Sequence, residues 1–239
     1  MEPRNGWRAP AELAARRLAV ITATGALLGL LVGGVGGRLA MLLLAELNPE
    51  ASGVTSDDGF TIGQFTFATL NLLVAGTVLG VVGAGFYAIL RGLRFGPRWF
   101  QVLSLAVGPA VVVGALIVHT DGVDFTRLEP TWLAIAVFVA IPGGYAALLT
   151  VLTERLLQQH RWTTAPRWLV GAALALWLPV APLLVLLAAG WVAGEGARRT
   201  TAGAAALGHP GLSWAARLAL AVVFAVSLID LGQDFAALG

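Results

Sequence analysis

The sequence predicts an all-α, polytopic transmembrane helical bundle, and three observations predict it. Apolar residues fill 58% of the 239 positions and charged residues 12%, against roughly 45–50% and 25% in average soluble domains. Mean hydropathy is +0.83. The apolar residues are gathered into runs of about twenty or more, the length a helix needs to cross a ~30 Å hydrocarbon core. Short segments holding most of the arginines separate these runs. The connections are too short to hold a soluble catalytic domain.

Residues 1–17, with Pro3, Pro10 and an Ala-rich stretch ending at Arg16-Arg17, read as a cytoplasmic or interfacial segment. A signal peptide is the competing reading, since paired arginines before an apolar run resemble an n-region and h-region. The apolar run continues to Leu47, however, and no small-residue cleavage site interrupts it, so a retained anchor is expected. Residues 18–239 then form a single transmembrane helical domain with six spans. Span 1 covers Leu18–Leu47 and span 2 covers Gln64–Leu90. Spans 3 and 4 cover Trp99–Val118 and Thr131–Leu152. Spans 5 and 6 cover Trp168–Val192 and Leu212–Leu231.

Arginine placement orients them. Four arginines precede span 1, three lie in 91–98 and three in 154–167; the 48–63 loop has none and the 119–130 loop only Arg127. By the positive-inside rule the N-terminus is cytoplasmic and the first and third loops face outward. The last third admits two topologies. Pro179 and Pro182 fit a broken or re-entrant span 5, which would reverse everything after it. Trp168 and Trp191, ~34 Å apart along a helix, fit one full, kinked span with an aromatic at each interface. The second reading is adopted and puts both ends inside. It leaves Arg198 and Arg199 on the outer side. Pro142-Gly143-Gly144 in span 4 predicts a kink or an unwound turn.

Span 1 carries Gly25, Gly29, Gly33 and Gly37 at strict four-residue spacing, and span 2 offers Gly76, Gly80 and Ala84. Such stripes let helix backbones approach closely. This glycine zipper either packs spans 1 and 2 inside one subunit or joins subunits. Echoes between Asp57-Asp58-Gly59-Phe60-Thr61 and Asp121-Gly122-Val123-Asp124-Phe125-Thr126, and between Gly83-Ala84-Gly85-Phe86-Tyr87-Ala88 and Pro142-Gly143-Gly144-Tyr145-Ala146, hint at duplication of spans 1–2 in 3–4.

Missing residue types exclude several chemistries. Without cysteine there is no thiol–disulfide or thiolate-metal site. All fifteen basic residues are Arg, so no lysine can form a Schiff base. His119, His160 and His209 give neither a paired haem ligand set nor a metal motif. No P-loop, zincin motif or nucleophile elbow is present. The sequence therefore calls for no cofactor, no metal and no catalytic residue. Helix-end arginines orient a membrane protein rather than bind nucleic acid.

Arg38 is the most informative ionisable residue, because charge at membrane depth is functional by default. The outer half of span 2 offers Gln64, Thr66, Thr69 and Asn71 as hydrogen-bonding partners. Arg38 is either an interfacial arginine satisfied by such groups or an anion or carboxylate site. The outward loops are acidic, with Glu46, Glu50, Asp57 and Asp58 on one and Asp121, Asp124 and Glu129, beside His119, on the other. These are solvated turns or a cation-gathering vestibule. Asp230 lies at the end of span 6. Two functions follow. The first is a non-enzymatic scaffold or accessory subunit assembling through the glycine-zipper helix. The other is a small channel or secondary carrier with an outward-facing acidic vestibule and Arg38 near its mouth. The expected partners are the lipid bilayer and either further copies or a larger membrane complex. Ala/Gly/Arg usage without Lys or Cys resembles small membrane proteins of high-GC bacteria, which implies the bacterial cytoplasmic (inner) membrane, multi-pass.

Overall fold

The computed structural model describes residues 6–51, 53, 67–118, 120, 128–159 and 161–238. Among them all regular structure is helical. Six helical stretches are long and apolar enough to cross a membrane: Arg8–Leu47, Thr69–Leu93, Arg98–Ile117, Thr131–Gln158, Leu178–Arg198 and Pro210–Leu238.

Helix α1 (Arg8–Leu28) begins well before Leu18, so part of the expected N-terminal segment is already helix. Pro10 in the first turn removes an N–H that has no intrahelical partner there. Glu12 and Arg16, one turn apart, pair at 2.8 Å. From Gly29 to Gly36 the backbone widens into a π-helix and then continues as α2 (Gly37–Leu47). Four glycines in this eight-residue stretch keep side chains out of the way of the neighbouring helix.

Helix α3 (Phe67–Leu90) runs antiparallel against this stretch. A Cβ added to Gly25 would stand 2.6 Å from both Ala84 Cβ and the Gly80 carbonyl oxygen. One on Gly80 would stand 2.7 Å from Gly29 Cα, and one on Gly76 would stand 2.6 Å from Gly34 N. No real Cβ tolerates such distances, so the two backbones touch directly. The stripe departs from strict four-residue spacing. Gly25 and Gly29 are followed on the contact face by Gly34, where a Cβ would lie 3.0 Å from Leu73 Cα. Gly33 would reach Gly76 Cα only at 3.5 Å, and nothing lies within 4 Å of a Cβ at Gly37. The cause is the π-helix, whose i→i+5 bonding puts about one more residue into the turn.

Helix α4 (Arg98–Ile117) and helix α5 (Thr131–Gln158) form a second close pair. A Cβ on Gly143 would come within 3.0 Å of Ala110 Cβ, and one on Gly114 within 2.9 Å of Val139 Cγ2. Helix α5 is continuous through Pro142, so the unwound turn is absent and Gly143 serves instead as a point of close approach. The two pairs join through Tyr145, whose hydroxyl donates to the Gly80 carbonyl at 2.5 Å. Its ring lies where a side chain on Gly83 would be. Leu44, Ala45, Val118, Leu128, Ala134 and Ile135 fill one end of this four-membered core. Ile21, Leu28, Ala84, Tyr87 and Leu149 fill its middle.

In the last third the helix is not continuous from Trp168 to Val192, and the apolar stretch long enough to cross a membrane is Leu178–Arg198. Helix α6 (Arg167–Ala175) stops, a 3-10 turn spans Leu178–Val180, and helix α7 (Ala181–Arg198) follows. Pro179 would clash with the Ala175 carbonyl and cannot donate to it, while Pro182 suits the first turn of the new helix. Between them Trp177 is wholly buried. Its indole N–H donates to Thr22 Oγ1 at 2.8 Å, and its ring fills the space beside Gly85. Both outer ends of this unit return to the start of α1. The Arg16 guanidinium donates to the Ala165 carbonyl at 2.6 Å, while Trp191 meets Trp7 edge-on at 6.3 Å. Arg199 lies 4.0 Å from the Trp7 ring centroid and donates to the Gly6 carbonyl. The segment is thus a helix-turn-helix hairpin with Trp177 at its tip.

Helix α8 (Thr201–Gly208), capped by the Thr200 hydroxyl, leads to helix α9 (Pro210–Leu238). Arg217 of α9 donates to the Leu93 carbonyl at 3.1 Å, whereas Leu231 and Leu238 pack near Leu44 and Val118. The C-terminal end of α9 therefore lies opposite the start of α1, not beside it. Apart from Arg38, every arginine among the described residues belongs to a segment at the α1 start. Glu46, Glu50, Glu129, Asp230 and Asp234 lie toward the other end.

Two predictions follow from this packing. The cysteine-free chain accepts single reporter cysteines in sealed vesicles treated with a membrane-impermeant maleimide. Gly92→Cys and Thr201→Cys will label from one side and Gln233→Cys from the other; labelling of Thr201 opposite to Gly92 would refute the hairpin. In detergent, Gly29→Ala will destabilise by about 3 kcal/mol or more, because the obstructing atoms are backbone. Gly37→Ala will be neutral or up to ~1 kcal/mol stabilising; equal thermal shifts would contradict the π-helical register.

Candidate functional site

Arg38 stands one turn beyond Gly34 on α2, so the π-helix that moves Gly34 to the inner face carries Arg38 there as well. It is only 4% exposed and has an interaction partner. It lies about 9 Å along the helix from Leu44, within the bundle and not at its rim. Of Gln64, Thr66, Thr69 and Asn71, expected around it, only Thr69 and Asn71 are among the described residues. Asn71 is exposed, and the Thr69 hydroxyl oxygen is buried without a hydrogen bond. Gln64, Asp57, Asp58, His119, Asp121 and Asp124 lie outside the described residues, so the acidic vestibule is not described.

Near the same end, Asn48 does what no motif announced. Its side-chain N–H donates to the Leu44 and Glu129 carbonyls, both at 2.8 Å, and its carbonyl accepts the Glu129 N–H at 2.8 Å. Buried to 4% exposure, it closes α2 and ties it to the residues leading into α5. Three satisfied bonds on one amide make this a structural clamp.

The densest polar cluster is at the opposite, arginine-rich end. The Glu154 carboxylate accepts from the Tyr87 hydroxyl at 2.8 Å, from Arg91 Nε at 3.0 Å and from Arg94 at 2.9 Å. Arg94 also donates to the Arg91 carbonyl at 3.0 Å. Tyr87, Arg91 and Arg94 are four and three residues apart, the spacing of one helical face. That pattern was legible. The carboxylate that completes it comes from α5, 60 residues after Arg94, and only packing could supply it. One carboxylate accepting from three side chains locks the end of α3 to α5.

No group of three or more metal-ligating side chains occurs among the described residues. The two best-formed concavities both open at the arginine-rich end. One, of ≈ 230 Å³, lies between Val20, Ala23 and Thr24 of α1 and Leu156, Gln159 and Trp162. The other, of ≈ 300 Å³, is lined by Glu12, Ala15, Arg16, Arg167 and Val170. Neither touches Arg38 or Asn71. Comparison with family models, with curated proteins and with solved structures returns no match.

Glu154→Gln will weaken two guanidinium contacts in a quarter-exposed site, costing about 1–3 kcal/mol. Arg155→Gln, on an exposed position beside it, will cost less than about 0.5 kcal/mol. Thermal unfolding of both variants in detergent checks the difference, and equal stability would show that the cluster does not hold the helices.

Proposed function

We propose that this chain is a non-enzymatic integral membrane scaffold or accessory subunit, set in a bacterial cytoplasmic membrane with its arginine-rich end inside. One observation carries the reading: among the described residues the core around the glycine stripes is closely packed while the C-terminal third is open. The glycine stripes are in backbone contact with each other within the chain, and Tyr145 and Trp177 plug the gaps beside them. Helices α6 to α9, in contrast, contain no buried residue. A carrier needs polar groups lining a path near mid-membrane, and the concavities found at the arginine-rich end do not reach Arg38.

The glycine groove of α1 is already occupied by α3, so assembly through that groove would require the two helices to separate. Assembly instead uses α7 and α9, which reach other chains without disturbing the core. Placing the arginine-rich end inside follows the positive-inside rule and agrees with the acidic residues at the other end.

Native mass spectrometry after gentle extraction from the source membrane, paired with flux in proteoliposomes, tests the reading. The expected result is a second protein at fixed stoichiometry and no flux above protein-free vesicles. Ion or small-anion flux that disappears in Arg38→Ala would overturn it and establish the channel or carrier instead.

A further inference from the structure

The ≈ 230 Å³ groove between α1 and the end of α5 combines an apolar lining with a cationic, aromatic rim. Val20, Ala23 and Leu156 form its walls. Thr24 turns its hydroxyl back to the Val20 carbonyl at 2.9 Å, so it too offers the groove little polarity. Trp162 stands at the mouth with its indole N–H bound to the Leu157 carbonyl at 2.9 Å. The Arg17 guanidinium lies 5.7 Å from the centre of that indole, close enough for cation–π attraction. Its neighbour Arg16 is taken by Glu12 and the Ala165 carbonyl. Arg17 has no ion pair with a carboxylate among the described residues. Gln159 lines the groove, and Arg155, four residues before it, shares its helical face.

We propose that this groove binds one anionic phospholipid. An acyl chain lies along Val20, Ala23 and Leu156, and the phosphate meets Arg17 and Gln159. Charge complementarity selects this occupant. The groove opens at the end where the arginines gather, and basic pockets between transmembrane helices on the cytoplasmic side recognise anionic headgroups. An indole at the headgroup level, apolar on its faces and polar at its N–H, is the usual companion of such a site. The apolar walls distinguish a lipid from free phosphate, which has nothing to place against them. The inference rests on the membrane placement proposed above.

Native mass spectrometry of the full chain, titrated in detergent with phosphatidylglycerol or phosphatidylcholine, tests it. The expected result is one retained phosphatidylglycerol, preferred over phosphatidylcholine by about tenfold or more, because phosphatidylcholine offers the same phosphate with a quaternary ammonium that brings like charge to Arg17. Arg17→Gln will abolish that preference, and Arg17→Lys will keep most of it because an ammonium also binds phosphate. Ala23→Trp will expel the chain by filling the groove; if it fails to fold, Gln159→Leu is read in its place and will weaken retention. Equal retention of both lipids would overturn the groove while leaving the membrane placement intact, as would an Arg17→Gln variant that behaves like the parent. Binding of inorganic phosphate with the same Arg17 dependence would overturn the lipid assignment. Failure to retain any lipid, with exclusion from vesicles, would overturn the membrane placement itself.

Discussion

Where Gly29 meets Gly76 and Gly80, two helix backbones touch with no side chain between them, and the rest of the bundle is arranged around that contact. Between helices in a membrane the hydrophobic effect offers little, because lipid tails are as apolar as leucine; close van der Waals packing takes its place. Glycine allows that packing and also bares the backbone carbonyls. The Gly80 carbonyl, already part of the α3 ladder, accepts the Tyr145 hydroxyl in addition. The tightest contact is thereby also where the second helix pair attaches. The π-helical stretch follows from the same need. Widening the turn brings Gly34 rather than Gly33 onto Leu73 and places Arg38 on the enclosed side.

Charge organises the two ends. At one, Glu154 gathers Tyr87, Arg91 and Arg94 and fixes α5 to the end of α3. At the same end Arg16 holds Ala165, and Arg199 holds Gly6 and Trp7. Guanidinium groups donating to backbone carbonyls thus close the hairpin from both sides. At the other end the clamp is neutral, an asparagine satisfied three times over. The protein's asymmetry is therefore mechanical as well as electrostatic. Its basic face is laced by arginines and its acidic face is closed by packing and one amide.

The division between a closed core and an open C-terminal third bears on function. The hairpin is anchored at its tip by one hydrogen bond from a fully buried tryptophan, by Leu174, Val180, Leu183, Leu184 and Leu187 packed around the cluster of Ala26, Val81 and Trp177, and at its ends by arginine contacts. Helix α9 lies along α4 and contributes Leu231 and Leu238 to the cluster around Leu44 and Val118, yet most of its surface faces outward. The surface that α7 and α9 leave exposed is the largest apolar face outside that core. The groove bounded by Ala23, Leu156 and Trp162 gives the same outward character to its basic end.

Helix class, the number of long apolar stretches and the segregation of arginine were legible because each is a sum over neighbouring residues. Hydrophobic length and positive charge need no knowledge of what lies opposite. The glycine stripe was legible as a close-packing face, with Gly25, Gly29, Gly76 and Gly80 among its members, but its register beyond Gly29 was not. Sequence alone cannot tell an α-turn from a π-turn when the choice depends on the facing helix. The break at Pro179 and Pro182 was visible, and both a kink and a re-entrant hairpin were compatible with it. Only tertiary structure showed the helix interrupted there and folded back on itself. The deciding contacts, Trp177 with Thr22 and Arg199 with Trp7, join residues more than 150 positions apart. Glu154 and Asn48 were hidden for the same reason, since each draws its meaning from donors and acceptors on another helix or a distant loop.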